Sequence, residues 1–118
     1  MVATTPKTRK AKGRNFQNWV VEQLLKCFPG LTDRDVRGTT MGDGGVDVKL
    51  SEEAIKQFNY SVECKAVESI NLWECWKQAK ANTAKDTHPA LFIKRNHTDP
   101  IVVIDAAHFI ELVSKKDV

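Results

Sequence analysis

Apolar and polar residues change rhythm several times along the chain, and each rhythm marks an element. Phe16, Trp19, Val20, Leu24, Cys27 and Phe28 recur at the three-and-four spacing of one helix face. That spacing predicts a helix from about Arg14 to Phe28, closed by Pro29-Gly30. At about 100° per residue, Gln17 falls inside the apolar stripe and Glu22 points the other way. The preceding stretch, MVATTPKTRKAKG, has no apolar period and predicts a flexible arm over residues 1–13.

Beyond the helix the period shortens. RDVRGTTM and VDVKL read as strands, and GDGG between them predicts a turn whose glycines can take positive φ. Ser51-Glu52-Glu53 starts a short helical turn, YSVECKAV is a third strand, and Asn71 caps a second helix from Leu72 to about Ala84. On that helix Leu72, Cys75, Trp76, Ala79 and Thr83 share a face, with Gln78 and Asn82 on one flank and Lys80 on the other. ALFIKR and IVVIDA are strand-length apolar runs separated by a turn at 96–100. A last helix runs from about Ala106 to Val113, with Asp105 at its cap. The order αβββαββα predicts an α/β fold, a mixed central sheet flanked by helices. At 118 residues the chain has room for one core and not two, so residues 14–118 form a single domain behind the arm.

Composition narrows the class without naming a chemistry. With 42% hydrophobic and 28% charged residues, the chain reads as an ordinary globular protein. No apolar run approaches the roughly 18 residues of a membrane span, and charges stand where a signal peptide would be apolar. The expected location is the cytoplasm or nucleoid, with no membrane partner. Cys27, Cys64 and Cys75 form no CxxC pair and are expected as small buried hydrophobes. His88, His97 and His108 lack the spacing of a helix-borne metal site.

Charge becomes informative once it is located. Lys7, Arg9, Lys10, Lys12 and Arg14 precede the first acid, leaving 13 basic against 15 acidic residues in the remainder. The whole positive balance sits at the N-terminus, as phosphate attraction would use it.

Two strands then pose a question, because they carry charges within otherwise apolar runs. In YSVECKAV, Glu63 and Lys65 are two apart and share a face, while Val62, Cys64 and Ala66 point to the opposite layer. Asp47, between Val46 and Val48, joins them if the second and third strands pair as neighbours, which a connection through residues 51–59 allows. Two carboxylates and an ammonium then converge. Mg²⁺ is hard, prefers oxygen and usually takes only one or two protein carboxylates. Asp47 and Glu63 meet that need, and the Cys64 carbonyl offers another oxygen. Such an ion serves phosphodiester hydrolysis, with Lys65 orienting the nucleophile or stabilising charge on the phosphate.

At these residues the sequence resembles the PD-(D/E)XK nuclease superfamily, through Asp47 and the ECK of Glu63-Cys64-Lys65, with Val46 where the family name has its proline. Within it, KGRNFQNWV, RDVRGTTMGDGGVDV, VECK and QAKAN are similar to segments of small archaeal-type and phage Holliday-junction resolvases, from about Lys12 to Leu112. The resemblance implies a restriction-endonuclease-like fold and a homodimeric, Mg²⁺-dependent endonuclease, with Mn²⁺ as a substitute. It implies branched DNA as the substrate and a bacterial or phage-infected cytoplasm as the setting. Such resolvases usually carry a glutamate on the first helix, four residues after a glycine, that helps organise the metal. Counting from Gly13 gives Gln17, an amide that can offer an oxygen but no charge.

Around this centre, Lys10, Lys12, Arg14, Arg34, Arg37, Thr39, Thr40, Gln78 and Lys80 are candidate DNA contacts. Arg34 and Arg37 equally suit a solvated edge, and Asp43 beside glycine suits a turn. Trp19, Trp73 and Trp76 fit core or dimer-interface positions better than stacking platforms. The alternatives are a nicking or restriction-like endonuclease, a catalytically weak DNA-binding module, and an α/β domain with charges merely exposed on its strands.

Overall fold

A computed structural model describes residues 5–39 and 45–115. The elements follow as α1 (Pro6–Cys27), β1 (Val36–Gly38), β2 (Val48–Leu50), α2 (Glu52–Gln57), β3 (Tyr60–Ala66), α3 (Leu72–Ala81), β4 (His88–Lys94), β5 (Ile101–Val103) and α4 (Ala106–Ser114). The five strands form one mixed sheet in the order β1-β2-β3-β4-β5. Only β3 and β4 run parallel, joined through α3; the other neighbours are antiparallel. The α/β architecture expected from the periodicities is present, and the helical turn after Ser51 is a six-residue helix.

The largest departure lies at the N-terminus. The basic stretch expected as an irregular arm is helical from Pro6 onward. The Thr5 side chain accepts a hydrogen bond from the Thr8 amide at 3.1 Å, and Pro6 occupies the first helical position. Lys, Arg and Ala are good helix formers, and propagation from the core-anchored half needs no apolar face of its own. The absence of an apolar period therefore said nothing against a helix here.

The sheet divides the core by strand alternation. Phe16, Val20 and Leu24 of α1 bury themselves on Val36, Val48 and Val62, with Leu31 and Ala54, and with Cys64 and Ala66 packed at the margin. On the opposite face Leu91 and Ile93 of β4 meet Ala79 of α3, flanked by Leu72, Cys75 and Trp76. Each fully buried valine or leucine contributes about 1.5–3 kcal/mol. Cys27, expected to be buried, is exposed at the last position of α1, while Cys64 and Cys75 are partly buried; all three are free thiols.

Two polar ties fix the strands that matter for the site. The Ser51 hydroxyl donates to Asp35 at 2.7 Å, and the Thr32 amide donates to the same carboxylate at 2.9 Å. These donors hold the Asp35 carboxyl below its ordinary range, the Thr32 amide contributing most. They lock the loop before β1 to the N-cap of α2, and so set β1 against β2. At the far edge α4 is held differently: the Tyr60 hydroxyl and His108 Nε2 share a hydrogen bond of 2.6 Å, and the His108 ring stacks on His88 at 3.9 Å. Among the described residues no helix is long and apolar enough to cross a membrane.

Candidate functional site

β2 begins at Val48, two residues later than the alternation of VDVKL suggests, so Asp47 stands just outside the ladder. Its amide still donates to the Val62 carbonyl at 2.9 Å. Its carboxylate turns to β3 and accepts from the Cys64 amide at 2.6 Å. A side-chain oxygen thus takes the place a backbone carbonyl would hold if the two strands continued to pair. The N–H and C=O of one strand residue point to the same side, so the Cys64 carbonyl also faces the Asp47 edge.

Glu63 lies on the next position of β3, its side chain on the α3 face and only 4% exposed. Asn82, at the C-cap of α3, donates to Glu63 Oε1 at 2.9 Å. The Asp47 carboxyl lies near enough to act on Glu63 both as a like charge and as a hydrogen-bond partner. Burial pushes the Glu63 carboxyl above its ordinary range and the Asp47 charge adds to this, while the Asn82 bond and Lys65 work against it. Burial, then the Asp47 and Glu63 charges, also push the Cys64 thiol up, so the sulfur is a neutral packing group. Lys65 shares the Glu63 face and is half-buried. Among the described residues it is held in no ion pair.

The three residues singled out by sequence therefore come together. Two carboxylates pressed against each other inside a protein are a source of repulsion that a cation relieves. Among the described residues no three His, Cys, Asp or Glu side chains are grouped to hold a metal ion. Two carboxylates with one backbone carbonyl nevertheless match what Mg²⁺ or Mn²⁺ takes from a protein, and lack the sulfur and imidazole that Zn²⁺ favours.

Gln17 has a different place from the one its position implies. It is 4% exposed, and its amide nitrogen donates to the carbonyl of Asp47 and, at 3.3 Å each, to the carbonyl and hydroxyl of Thr39. The Thr39 amide and hydroxyl converge on that same Asp47 carbonyl, at 2.9 and 3.3 Å. Gln17 and Thr39 thus brace the backbone under Asp47 and are engaged within the fold rather than presented to a ligand. Gly38 makes room for this clamp, since a Cβ there would stand 3.1 Å from Gln17 Cδ.

The surrounding candidates separate. Arg34 and Arg37 line a recess of about 320 Å³ with Lys49, Tyr60, Ser61 and Thr87. Ser61 precedes Glu63 by two residues on the same strand face, roughly 7 Å away. Gln78 and Lys80 are exposed on α3, and it is Asn82 that reaches Glu63. Lys10 and Arg14 are exposed on α1, and Lys12 lines a second recess of about 400 Å³ beside Trp19 and Arg95. Trp76 packs against the core, while Trp73 and Trp19 are 76% and 39% exposed, which leaves for them the interface half of the expectation. Thr40 and Asp43 lie outside the described residues.

Sequence reasoning missed the Ser61–Thr87–Ala84 tie. The Ser61 hydroxyl accepts from the Ala84 amide at 2.9 Å and meets the Thr87 hydroxyl at 2.7 Å. This anchors the segment after α3, and with it Asn82, onto β3. The available signal was Ser61 itself, a small polar residue in register with Glu63 on a face otherwise covered by helix.

No protein-family model, no curated protein and no solved structure matches this chain.

Proposed function

We propose that the chain is a divalent-metal-dependent, structure-specific DNA endonuclease of the PD-(D/E)XK type, acting as a homodimer on branched DNA such as Holliday junctions. The observation that carries this is the convergence of the Asp47 and Glu63 carboxyls at one strand junction, with Lys65 on the Glu63 face and the Cys64 carbonyl turned to the same edge. The mixed sheet covered by helices on both faces is compatible with a restriction-endonuclease-like arrangement.

Asp47, Glu63 and the Cys64 carbonyl would hold Mg²⁺ or Mn²⁺. When bound, the ion supplies the charge neutralisation and water activation that phosphodiester hydrolysis needs. Asn82 keeps the Glu63 carboxylate aimed, and the Gln17–Thr39 clamp fixes the backbone from which Asp47 projects. The half-buried Lys65 ammonium offsets charge that builds on the phosphate during displacement. On the α1 wheel Lys10 and Arg14 fall within about 60° of Gln17. A basic row thus runs along the helix toward the site, as a phosphate backbone would need.

Incubation with four-way junction, flap, nicked and linear duplex DNA, in Mg²⁺, Mn²⁺ or EDTA, tests this. Symmetric junction cuts are expected with either metal and none with EDTA. Lys65→Ala and Glu63→Gln are expected to lower the rate at least about 100-fold. Equal cutting of linear duplex would point to a nicking or restriction-like enzyme. Binding without cleavage in every metal would leave a DNA-binding module, and neither binding nor cleavage would end the nuclease proposal.

A further inference from the structure

The nine residues of α4 include none that is buried, although the helix is the most apolar of the chain. Phe109, Ile110, Leu112 and Val113 are 55, 66, 45 and 56% exposed. They span about 160° of the helix circumference. His108, on the flank of that arc, is the residue that reaches the body, through Tyr60 and His88. The helix is therefore attached by its edge, and its apolar stripe is turned away from the sheet. By strand register Val102 shares a sheet face with Phe92, and that face is the one carrying Tyr60 and His88. Val102 is 47% exposed, on the outermost strand of the sheet.

We propose that this surface, the α4 stripe with Val102 beside it, joins two copies of the chain across a two-fold axis. At roughly 100 Å² for each half-exposed large side chain, it offers about 500 Å² of apolar area per copy, the upper end of what a monomer leaves in water. Doubled, about 1,000 Å² reaches the threshold of a specific interface before any polar rim is counted. The charge pattern favours a second copy. Glu111 and Lys115, the charges on this helix, pair with each other at 2.6 Å. The stripe meets its own image without like-charge repulsion, as an isologous contact requires. Nucleic acid is a poor occupant, because among the described residues of α4 and its cap the one lysine, Lys115, is already paired with Glu111.

The surface stands on the exposed side chains and not on the nuclease reading; to that reading it adds where the two-fold axis lies. Sedimentation equilibrium of the full chain tests it separately from any cleavage assay. The parent is expected at twice its 13.3 kDa chain mass. Ile110→Asp and Val113→Asp should each weaken association at least about thirtyfold, as for a central interface residue, with circular dichroism unchanged. Trp73→Ala, at a still more exposed aromatic on α3, should stay dimeric. A monomeric parent at 100-micromolar order concentration would overturn the proposal in favour of a different protein partner, and so would a dimer that survives both aspartate variants.

Discussion

The site region and the α4 region treat their side chains in opposite ways. Where β2 meets β3, nearly every polar group is committed to another group of the same chain: Gln17 to Asp47 and Thr39, Asp47 to Cys64, Asn82 to Glu63, Ser61 to Thr87. Where β5 leads into α4, the apolar groups of the helix stay about half exposed and none is buried, and His108 ties the helix to Tyr60. The first region holds charges that repel and fixes them in place; the second leaves unspent apolar area. A substitution in the first region should therefore disturb the folded chain itself, and one in the second should disturb only what the chain associates with.

The sharpest way to break that contrast is Gln17→Glu. A carboxylate presents only acceptors, and at this position it would face two backbone carbonyls and a hydroxyl while being nearly buried. The lost donor bonds and the buried charge together are expected to cost about 3 kcal/mol or more of unfolding free energy at pH 7 in the absence of metal. Urea unfolding monitored by circular dichroism measures it. A glutamate tolerated within about 0.5 kcal/mol would show that the clamp is dispensable and that this position is free to serve as a ligand.

A smaller effect is expected from Glu63, and its sign depends on pH. Its folded carboxyl is raised above the ordinary value of 4.5. As pH rises above 4.5 the unfolded chain ionises first, so this group's contribution to stability falls until the pH passes the folded value, and is constant above it. Glu63→Gln keeps an acceptor for Asn82 and removes the opposed charge. In EDTA at pH 8 it is expected to unfold on the order of 1 kcal/mol later than the parent, the difference vanishing toward pH 4. Added Mg²⁺ should raise the parent's Tm at pH 8, raise it less as pH falls through the Glu63 range, and leave the variant unmoved. A parent Tm indifferent to Mg²⁺ at pH 8 would remove the candidate metal centre.

How much of this was legible in the sequence differs by the kind of force involved. Val62, Cys64 and Ala66 alternate against Ser61, Glu63 and Lys65, and this period assigned faces correctly because a strand's geometry leaves no other choice. Asn71, Asp105 and Ser51 were readable as helix caps because the capping bond is local. The helical state of Pro6 to Lys12 was not, because periodicity reports burial and this part of α1 has no fully buried residue; the Thr5-Pro6 pair was the overlooked signal. Asp47 and Glu63 could be brought together on paper only by assuming that β2 and β3 pair. The destination of the Gln17 amide was invisible, because it depends on backbone carbonyls that any sequence would supply.

The apolar region carries the smallest predicted effect, and the most discriminating. Leu112 is 45% exposed on α4, and glutamine is nearly as good a helix former, so Leu112→Gln removes little that the single chain uses. Placed in an Ile110→Asp background, where association is already lost, it is expected to change unfolding free energy by no more than about 0.5 kcal/mol. In the otherwise unaltered chain the same change should weaken self-association measurably, because the leucine is then one of the side chains that a second copy covers. The pair of measurements separates two explanations of an apolar helix with no buried residue. If the glutamine costs the monomer 2 kcal/mol or more, α4 is packed against its own chain in solution, and the difference between the two regions disappears.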